Sequence, residues 1–377
     1  MVGKRKKTNT ADIPGLVSTM LTWERVKTAN IGFDFGAFAN RLTGSFDYFV
    51  RKTVDMVGPA PELPATLGIA VPNMNNADMK SYGFEVELSW RDKIGGVDYG
   101  VKFNLADAQQ KILRYPNTTN RFSDWYIGKM NGEIWGYTTV GIAKSQEEMD
   151  RYLATLPNGG QNALGKKWGA GDIMYADING DGKVDGGKGT LADPGDQKII
   201  GNSTPRYNFG LIIDAAWKGF DVSVFFQGVG KRDFAPAANT NGSVFWGAVE
   251  NMWQSVGLED HWDYFRPEGH PMGANLDSYY PRPDLSSAKN HKVQTRYLQN
   301  AAYIRLKNIQ IGYTLPTAWL TKLRVNRCRI YVSGDNLWTG TKLADMFDPE
   351  TLAAGDWGSG KTYPLSRVIS FGINLNF

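Results

Sequence analysis

The sequence predicts an all-β protein: an antiparallel transmembrane β-barrel portion of about nine strands with long loops on one side. Three observations point there. Apolar residues recur at every second position in segments of about ten residues, the mark of strands with two unlike faces. Short and long connections alternate between those segments. The composition, with 43 Gly, 12 Trp, 17 Tyr and 18 Phe, is heavy in residues that a helical enzyme uses sparingly.

In chain order the segments lie near 31–37, 44–54, 81–91, 96–107, 206–217, 219–229, 302–314, 327–335 and 366–377. In the third, Phe84, Val86, Leu88 and Trp90 alternate with Glu85, Glu87, Ser89 and Arg91. In the fifth, Phe209, Leu211, Ile213 and Trp217 share a face, and in the sixth Phe220, Val222, Val224 and Phe226 do. In the seventh, Ile304 and Leu306 give way to Ile309 and Ile311, which predicts a bulge near Asn308. The last is the clearest: Ile369, Phe371, Ile373, Leu375 and Phe377 alternate with Ser370, Gly372, Asn374 and Asn376. A further strand is expected around Glu133–Ile142, outside the main set. Helical period appears only about Ser145–Leu156, ended by Pro157.

The short connections are about 38–43, 92–95, Lys218 and 315–326; the long ones are about 55–80, 108–205, 230–301 and 336–365. Compact soluble domains rarely carry several long loops, whereas brief turns on one side and long loops on the other describe a transmembrane barrel. A strand of about eleven residues is about 36 Å long, and tilted near 45° it crosses an apolar band of about 25 Å. Trp23, Tyr48, Trp90, Tyr99, Tyr207, Trp217, Tyr303 and Tyr313 lie on strands or near their ends, as interface girdles require. A soluble β-sandwich or propeller is the alternative. Strands one and nine run the same way, so nine strands cannot close with antiparallel pairing, and an open edge in lipid leaves backbone groups unpaired.

The chain has 42 basic and 38 acidic residues, too even a balance to predict nucleic-acid binding. The single Cys328 excludes an intramolecular disulfide framework and a cysteine zinc site. No run of about 18 apolar residues predicts a transmembrane helix. Lys4–Lys7 precede no apolar stretch, so the start does not read as a signal peptide.

Several segments resemble the C-terminal barrel of SusC/RagA-type TonB-dependent outer-membrane transporters. They are Leu21–Glu24, Asn30–Gly36, Arg41–Phe49, Tyr82–Leu88, Tyr303–Ile309, Gly312–Pro316, Ser333–Leu337 and the closing strand ending in Phe377. In the same order they cover about residues 20 to 377, leaving 1–20 unassigned. The resemblance implies part of a barrel of roughly 22 strands that imports oligosaccharides or peptides across the outer membrane of a Bacteroidetes-type bacterium. It implies a SusD-like lipoprotein as lid. It also implies energy from TonB, coupled through a plug that this stretch does not match, so the chain reads as a C-terminal fragment. It further implies that Phe371, Ile373, Leu375 and Phe377 form the signal read by the outer-membrane barrel assembly machinery. The competing reading is a soluble or surface-exposed carbohydrate-binding β-protein.

Two clusters could carry chemistry. Asp177, Asn179, Asp181, Lys183 (through its carbonyl) and Asp185 stand at positions 1, 3, 5, 7 and 9 of an EF-hand-like loop, with Gly182 at the sharp turn. Position 12 is Lys188, which excludes an EF-hand proper; Asp196 is the later carboxylate that the resemblance suggests. The expected cofactor is structural calcium, pinning the loop between strands four and five; an Asp/Asn/Gly-rich surface turn is the plain alternative. The second cluster holds Trp246, Trp253, Trp262, Tyr264, Tyr279 and Tyr280 among polar neighbours, which suits ligand stacking or, alternatively, loop packing. Trp125, Tyr126, Trp135 and Tyr137 are open to the same two readings. No Gly-x-Ser-x-Gly elbow accompanies Asp260–His261 or His270, and the three histidines read as hydrogen-bonded surface residues. No catalytic residues are assigned.

Overall fold

A computed structural model describes residues 21–58, 74–236, 244–247, 257–284, 288–320, 325–352 and 362–377. The expected unassigned segment 1–20 and Trp253 lie outside these residues. In chain order the first strands are β1 (Arg25–Ala37), β2 (Leu42–Gly58), β3 (Met74–Ile94), β4 (Val97–Arg114), β5 (Glu133–Tyr137) and β6 (Thr139–Ile142). Helix α1 (Gln146–Ala154) and strands β7 (Ile173–Tyr175), β8 (Gln197–Asn202), β9 (Arg206–Trp217) and β10 (Phe220–Lys231) follow. The remainder is β11 (Asp233–Phe234), β12 (Gln299–Asn300), β13 (Tyr303–Thr314), α2 (Thr317–Leu320), β14 (Arg327–Thr341) and β15 (Val368–Asn376).

Nine of these form one antiparallel sheet in the order β1-β2-β3-β4-β9-β10-β13-β14-β15. They are the nine segments expected from the sequence. The bulge is where the period shifts: Asn308 faces Phe225 and Leu306 faces Phe226, leaving Lys307 as the extra residue. Among the described residues no register joins β1 to β15, so the sheet is open at both edges.

Register turns the alternation along each strand into rows across the sheet. Phe33, Phe46, Val86, Leu105, Phe209, Gly228 and Ile304 are direct neighbours on seven consecutive strands. The next row toward the short turns runs Phe35, Gly44, Leu88, Phe103, Leu211, Phe226, Leu306 and Trp338. Neither row contains a charge. Cross-strand ring contacts reinforce them, with Phe33 and Phe46 centroids 5.7 Å apart. The opposite face reads Asp34, Ser45, Glu87, Asn104, Gly210, Gln227, Arg305 and Thr339. A sheet with uncharged rows across the middle of its outer face and a polar inner face is the wall of a membrane barrel.

Two of the short turns are built for tight reversal. Gly95–Gly96 and Lys218–Gly219 each put two consecutive residues at positive φ, the two-residue hairpin whose twist matches the strands. Four of the girdle aromatics, Trp90, Tyr99, Trp217 and Tyr313, stand at this end. Tyr303 does not belong to the girdle: register places it on the polar face opposite Val229 and Thr341, where it is buried.

At the other end the long connections fold on one another. The expected strand near Glu133–Ile142 splits at Thr138 into β5 and β6, which pair with β8 and β7. Helix α1 starts where Ser145 accepts the Glu148 N–H and carries Glu147 and Glu148 in its first turn. Its buried Met149 enters a core with Tyr137, Trp168, Ile173, Tyr175, Trp246, Tyr280, Tyr297 and Phe347. This core draws on the connections after β4, β10 and β14.

Candidate functional site: the inner wall and the loop assembly

The polar face of the sheet carries a groove of about 570 Å³ lined by Asp34, Ser45, Glu87, Lys102, Asn104 and Phe225. A second, of about 390 Å³, lies beside it along Glu85, Asn208, Gln227 and Tyr303. Glu85 and Glu87 therefore face the inside of the wall.

The loop assembly is tied to this wall by ions. Buried Arg305 on β13 donates to Asp348 at 2.8 Å, Glu350 at 2.8 Å and Thr339 Oγ1 at 2.8 Å. Lys307, the bulge residue, reaches Glu350 at 2.7 Å. Asp348 also accepts the Glu350 and Leu365 N–H groups. The segment that follows β14 is thus drawn onto the inner face.

A second ionic knot joins the connections after β4 and β10. Asp172 is fully buried and accepts from Arg282 Nε at 2.7 Å, Lys289 Nζ at 2.9 Å, Asn290 Nδ2 at 3.0 Å and the Gly169 N–H at 2.8 Å. Lys289, equally buried, also donates to the Lys167 carbonyl and lies over the Trp168 ring. Buried charge is tolerated only when paired and hydrogen-bonded in this way. Neither knot was legible in the sequence, because the ionic partners are about forty to more than a hundred residues apart.

The aromatic candidates divide. Trp246 and Tyr280 are interior residues of the loop core, 2 % and 1 % exposed, which corrects their reading as ligand contacts. Trp246 packs 4.2 Å from the His291 ring and 4.8 Å from Tyr297. Tyr279 and Tyr264 are half-buried; Trp262 is 59 % exposed. In the second group Trp135 stacks on Phe122 at 4.5 Å, Trp125 packs on Tyr115, Tyr126 donates to Glu133, and burial pushes the Tyr137 hydroxyl up to about 12. These are packing roles.

The histidines are corrected as well: two of three are interior. His261 is buried, with Nδ1 taking the Leu258 N–H and Nε2 bonded to the Phe245 carbonyl, so both ring nitrogens are committed to backbone. Burial holds the His291 imidazole far below its usual range. His270 accepts the Met272 N–H in a turn.

The Asp177–Asp185 loop closes on itself. Asp177 accepts the Gly180 and Gly182 N–H groups, and Asn179 accepts that of Asp181. Asp196 comes beneath, accepting Ile178 N–H through one oxygen and Asp185 N–H through the other. The structure thus brings Asp196 to the loop. Lys183 turns its ammonium onto Asp185 at 2.5 Å and lies 3.8 Å from Asp181. The hard-oxygen donors and the loop shape suit calcium. In this arrangement, however, no three acidic, imidazole or thiol groups converge as a metal set among the described residues.

The terminal residues Phe371, Ile373 and Leu375 share the apolar face, pairing with Val332, Ile330 and Cys328. Phe377 follows the strand and is exposed.

Comparison with known proteins agrees with this architecture. Residues 8–337 match the family described as TonB dependent receptor-like, beta-barrel. TonB-dependent receptor P3 of Formosa agariphila is 29 % identical over 95 % of this chain and 34 % of its own length. TonB-dependent receptor SusC of Bacteroides thetaiotaomicron is 23 % identical over 97 % of this chain and 33 % of its own. The RagAB peptide transporter structure superposes with a TM-score of 0.68 at 22 % identity, covering 95 % of this chain and 36 % of that one. The chain thus spans about a third of the length of the curated relatives it matches. A two-faced sheet, long loops gathered at one end and a family match over most of the sequence together establish that this chain belongs to the TonB-dependent receptor β-barrel family.

Proposed function

We propose that this chain supplies nine strands and the attached extracellular loops of an outer-membrane nutrient importer of a Bacteroidetes-type bacterium. The observation that carries this reading is the two-faced sheet, uncharged in rows on one side and lined by Asp34, Glu85, Glu87, Asn104 and Gln227 on the other. The inner face forms part of the solute path. The loop core gives that path a rigid mouth and offers a platform for a SusD-like lipoprotein lid. The cargo class is oligosaccharide or peptide; one relative's name points to peptide transport. TonB acts through parts of a complete transporter that this chain does not span. A soluble carbohydrate-binding protein is disfavoured by an apolar face that includes Ile31 at 73 % exposure.

The test is fractionation and uptake with the complete transporter carrying this sequence. It should sediment with the outer membrane, require detergent for extraction and import labelled oligosaccharide or peptide. A chain that stays in solution without detergent contradicts the reading.

Calcium at the Asp177–Asp196 loop is a second proposal. Burial, with the charge of Asp177 adding to it, raises the Asp196 carboxyl above the usual range, and a cation there would relieve that pair. Asp177, Asn179, Asp181, Asp185, Asp196 and the Lys183 carbonyl would hold it, with the Lys183 ammonium displaced. The ion would stiffen the loop.

A further inference from the structure

The apolar rows of the first four strands end, toward the loops, in a row of a different kind. Lys27 on β1 faces Lys52 on β2, Lys52 faces Lys80 on β3, and Lys80 faces Lys111 on β4. Each lies an even number of residues from Phe33, Phe46, Val86 or Leu105, so all four belong to the outward face. Lys27, Lys52 and Lys111 are exposed; Lys80 is half-buried, with Nζ 4.9 Å from the Tyr82 ring centre.

Like charges directly opposite one another destabilise a sheet, and among the described residues no acid offsets these. Among the described residues none of the ion pairs uses any of the four. The acids beyond the row, Asp55 and Asp78, are taken by Arg25 and Arg114. On the same face Asp107 is taken by Arg206.

The height of the row is informative. Lys80 stands ten residues from Trp90, whose own row lies beside the short turns. At about 3.3 Å per residue and a tilt of 35–45°, that is about 25 Å, the thickness of the apolar band. Adjacent strands are about 4.8 Å apart, so the row is about 14 Å wide; its slope spreads it over about 9 Å of depth, close to one headgroup layer. Four ammonium groups therefore stand at the headgroup level of the loop-side leaflet.

We infer that Lys27, Lys52, Lys80 and Lys111 form a binding strip for a phosphorylated lipid of the outer leaflet, whose phosphate groups supply the missing counter-charge. This rests on the membrane-barrel reading above. The lipid anchors β1–β4 in depth and relieves the repulsion within the row.

The test uses the complete transporter carrying this sequence, extracted in mild detergent. Phosphorylated lipid carried through purification is measured by native mass spectrometry and phosphorus assay, for the parent, the quadruple Lys→Gln variant and the quadruple Lys→Arg variant. Heat-modifiable migration on gels reports barrel folding in parallel. Each lysine near an anionic surface contributes about fivefold, so removing all four should leave the Gln variant with roughly six-hundredfold less lipid. The Arg variant should retain the parent level. In lipid-free detergent the Gln variant should be the more heat-stable, since its row no longer repels; a merely structural role for the lysines predicts the reverse. Vesicles of anionic phospholipid should restore the parent's lipid, and zwitterionic vesicles should not. Equal lipid on parent and Gln variant, with both folded, overturns the strip and leaves the barrel standing. Full competition by millimolar inorganic phosphate, or loss of a protein partner with lipid unchanged, also overturns it. Failure of the parent to enter the membrane overturns the barrel reading instead.

Discussion

Phe371, on the last strand of the sheet, is 82 % exposed, while Trp246, in a long connection, is 2 % exposed. The two regions handle apolar side chains in opposite ways. The loop assembly behaves as a small water-soluble domain: aromatics such as Trp246, Tyr280 and Tyr297 form its interior and the buried Asp172 and Lys289 are paired. The sheet arranges apolar residues in rows on one surface, and none of the described residues packs over them. A sequence with one hydropathy average thus contains two regions made for two solvents. What distinguishes them is position relative to the strand ends rather than residue type.

The largest separation between the regions should come from Asp172→Asn. It takes from buried Lys289 the nearer of its two carboxylates, Asp284 remaining at 3.5 Å, and breaking a buried pair costs about 3–5 kcal/mol. Limited proteolysis should cut the connections after β4 and β10 much faster, while heat-modifiable migration of the barrel stays unchanged. If the barrel also loses its folded band, the two regions are not independent.

Next is a charge placed on either side of one strand. Phe46 sits near the middle of the outward face, and Arg there should cost about 2–4 kcal/mol in a bilayer. Ser45→Arg, one residue away on the inner face, should leave stability nearly unchanged and alter uptake selectivity. Equal costs at the two positions would erase the distinction between the faces.

The smallest effect concerns the Asp177–Asp196 loop. Calcium at ten times its Kd should stabilise the loop by about 1.4 kcal/mol, read as protease resistance. Asp185 and Asp196 have opposite pH dependence. The Lys183 ammonium holds Asp185 below the usual carboxylate range. That contribution is present above the ordinary value and is lost as pH falls through the lowered one. Burial raises Asp196, so its contribution is full below the ordinary value and is lost as pH rises through the raised one. Calcium needs Asp196 charged, so its affinity should increase with pH across that window. A flat response to both calcium and pH would return the loop to an ordinary surface turn.

The sheet was legible in the sequence because its rule is local. Period two over about ten residues identifies each strand, and the change of face at Asn308 locates the bulge. Strand lengths were underestimated where the alternation dissolves: β3 extends from Met74, and beyond Tyr82 its outward residues become Lys80 and Asp78. The loop assembly was not legible, because its partners are chosen by tertiary folding. Lys289 lies 117 residues from Asp172. Trp246 and Trp262 read alike among their polar neighbours, yet one is core and the other surface. The lysine row was invisible for a related reason: each strand shows one lysine, and only register aligns the four.

One face of the nine-stranded sheet meets lipid and the other meets water. Spin labels placed singly from Val222 to Gln227 on β10, in the complete transporter with Cys328 replaced by serine and reconstituted in a bilayer, distinguish the two. Oxygen should relax labels at Val222, Val224 and Phe226, while a water-soluble nickel chelate should relax those at Ser223, Phe225 and Gln227. Nickel accessibility at all six positions, or no alternation between the two reagents, would contradict this assignment of the faces.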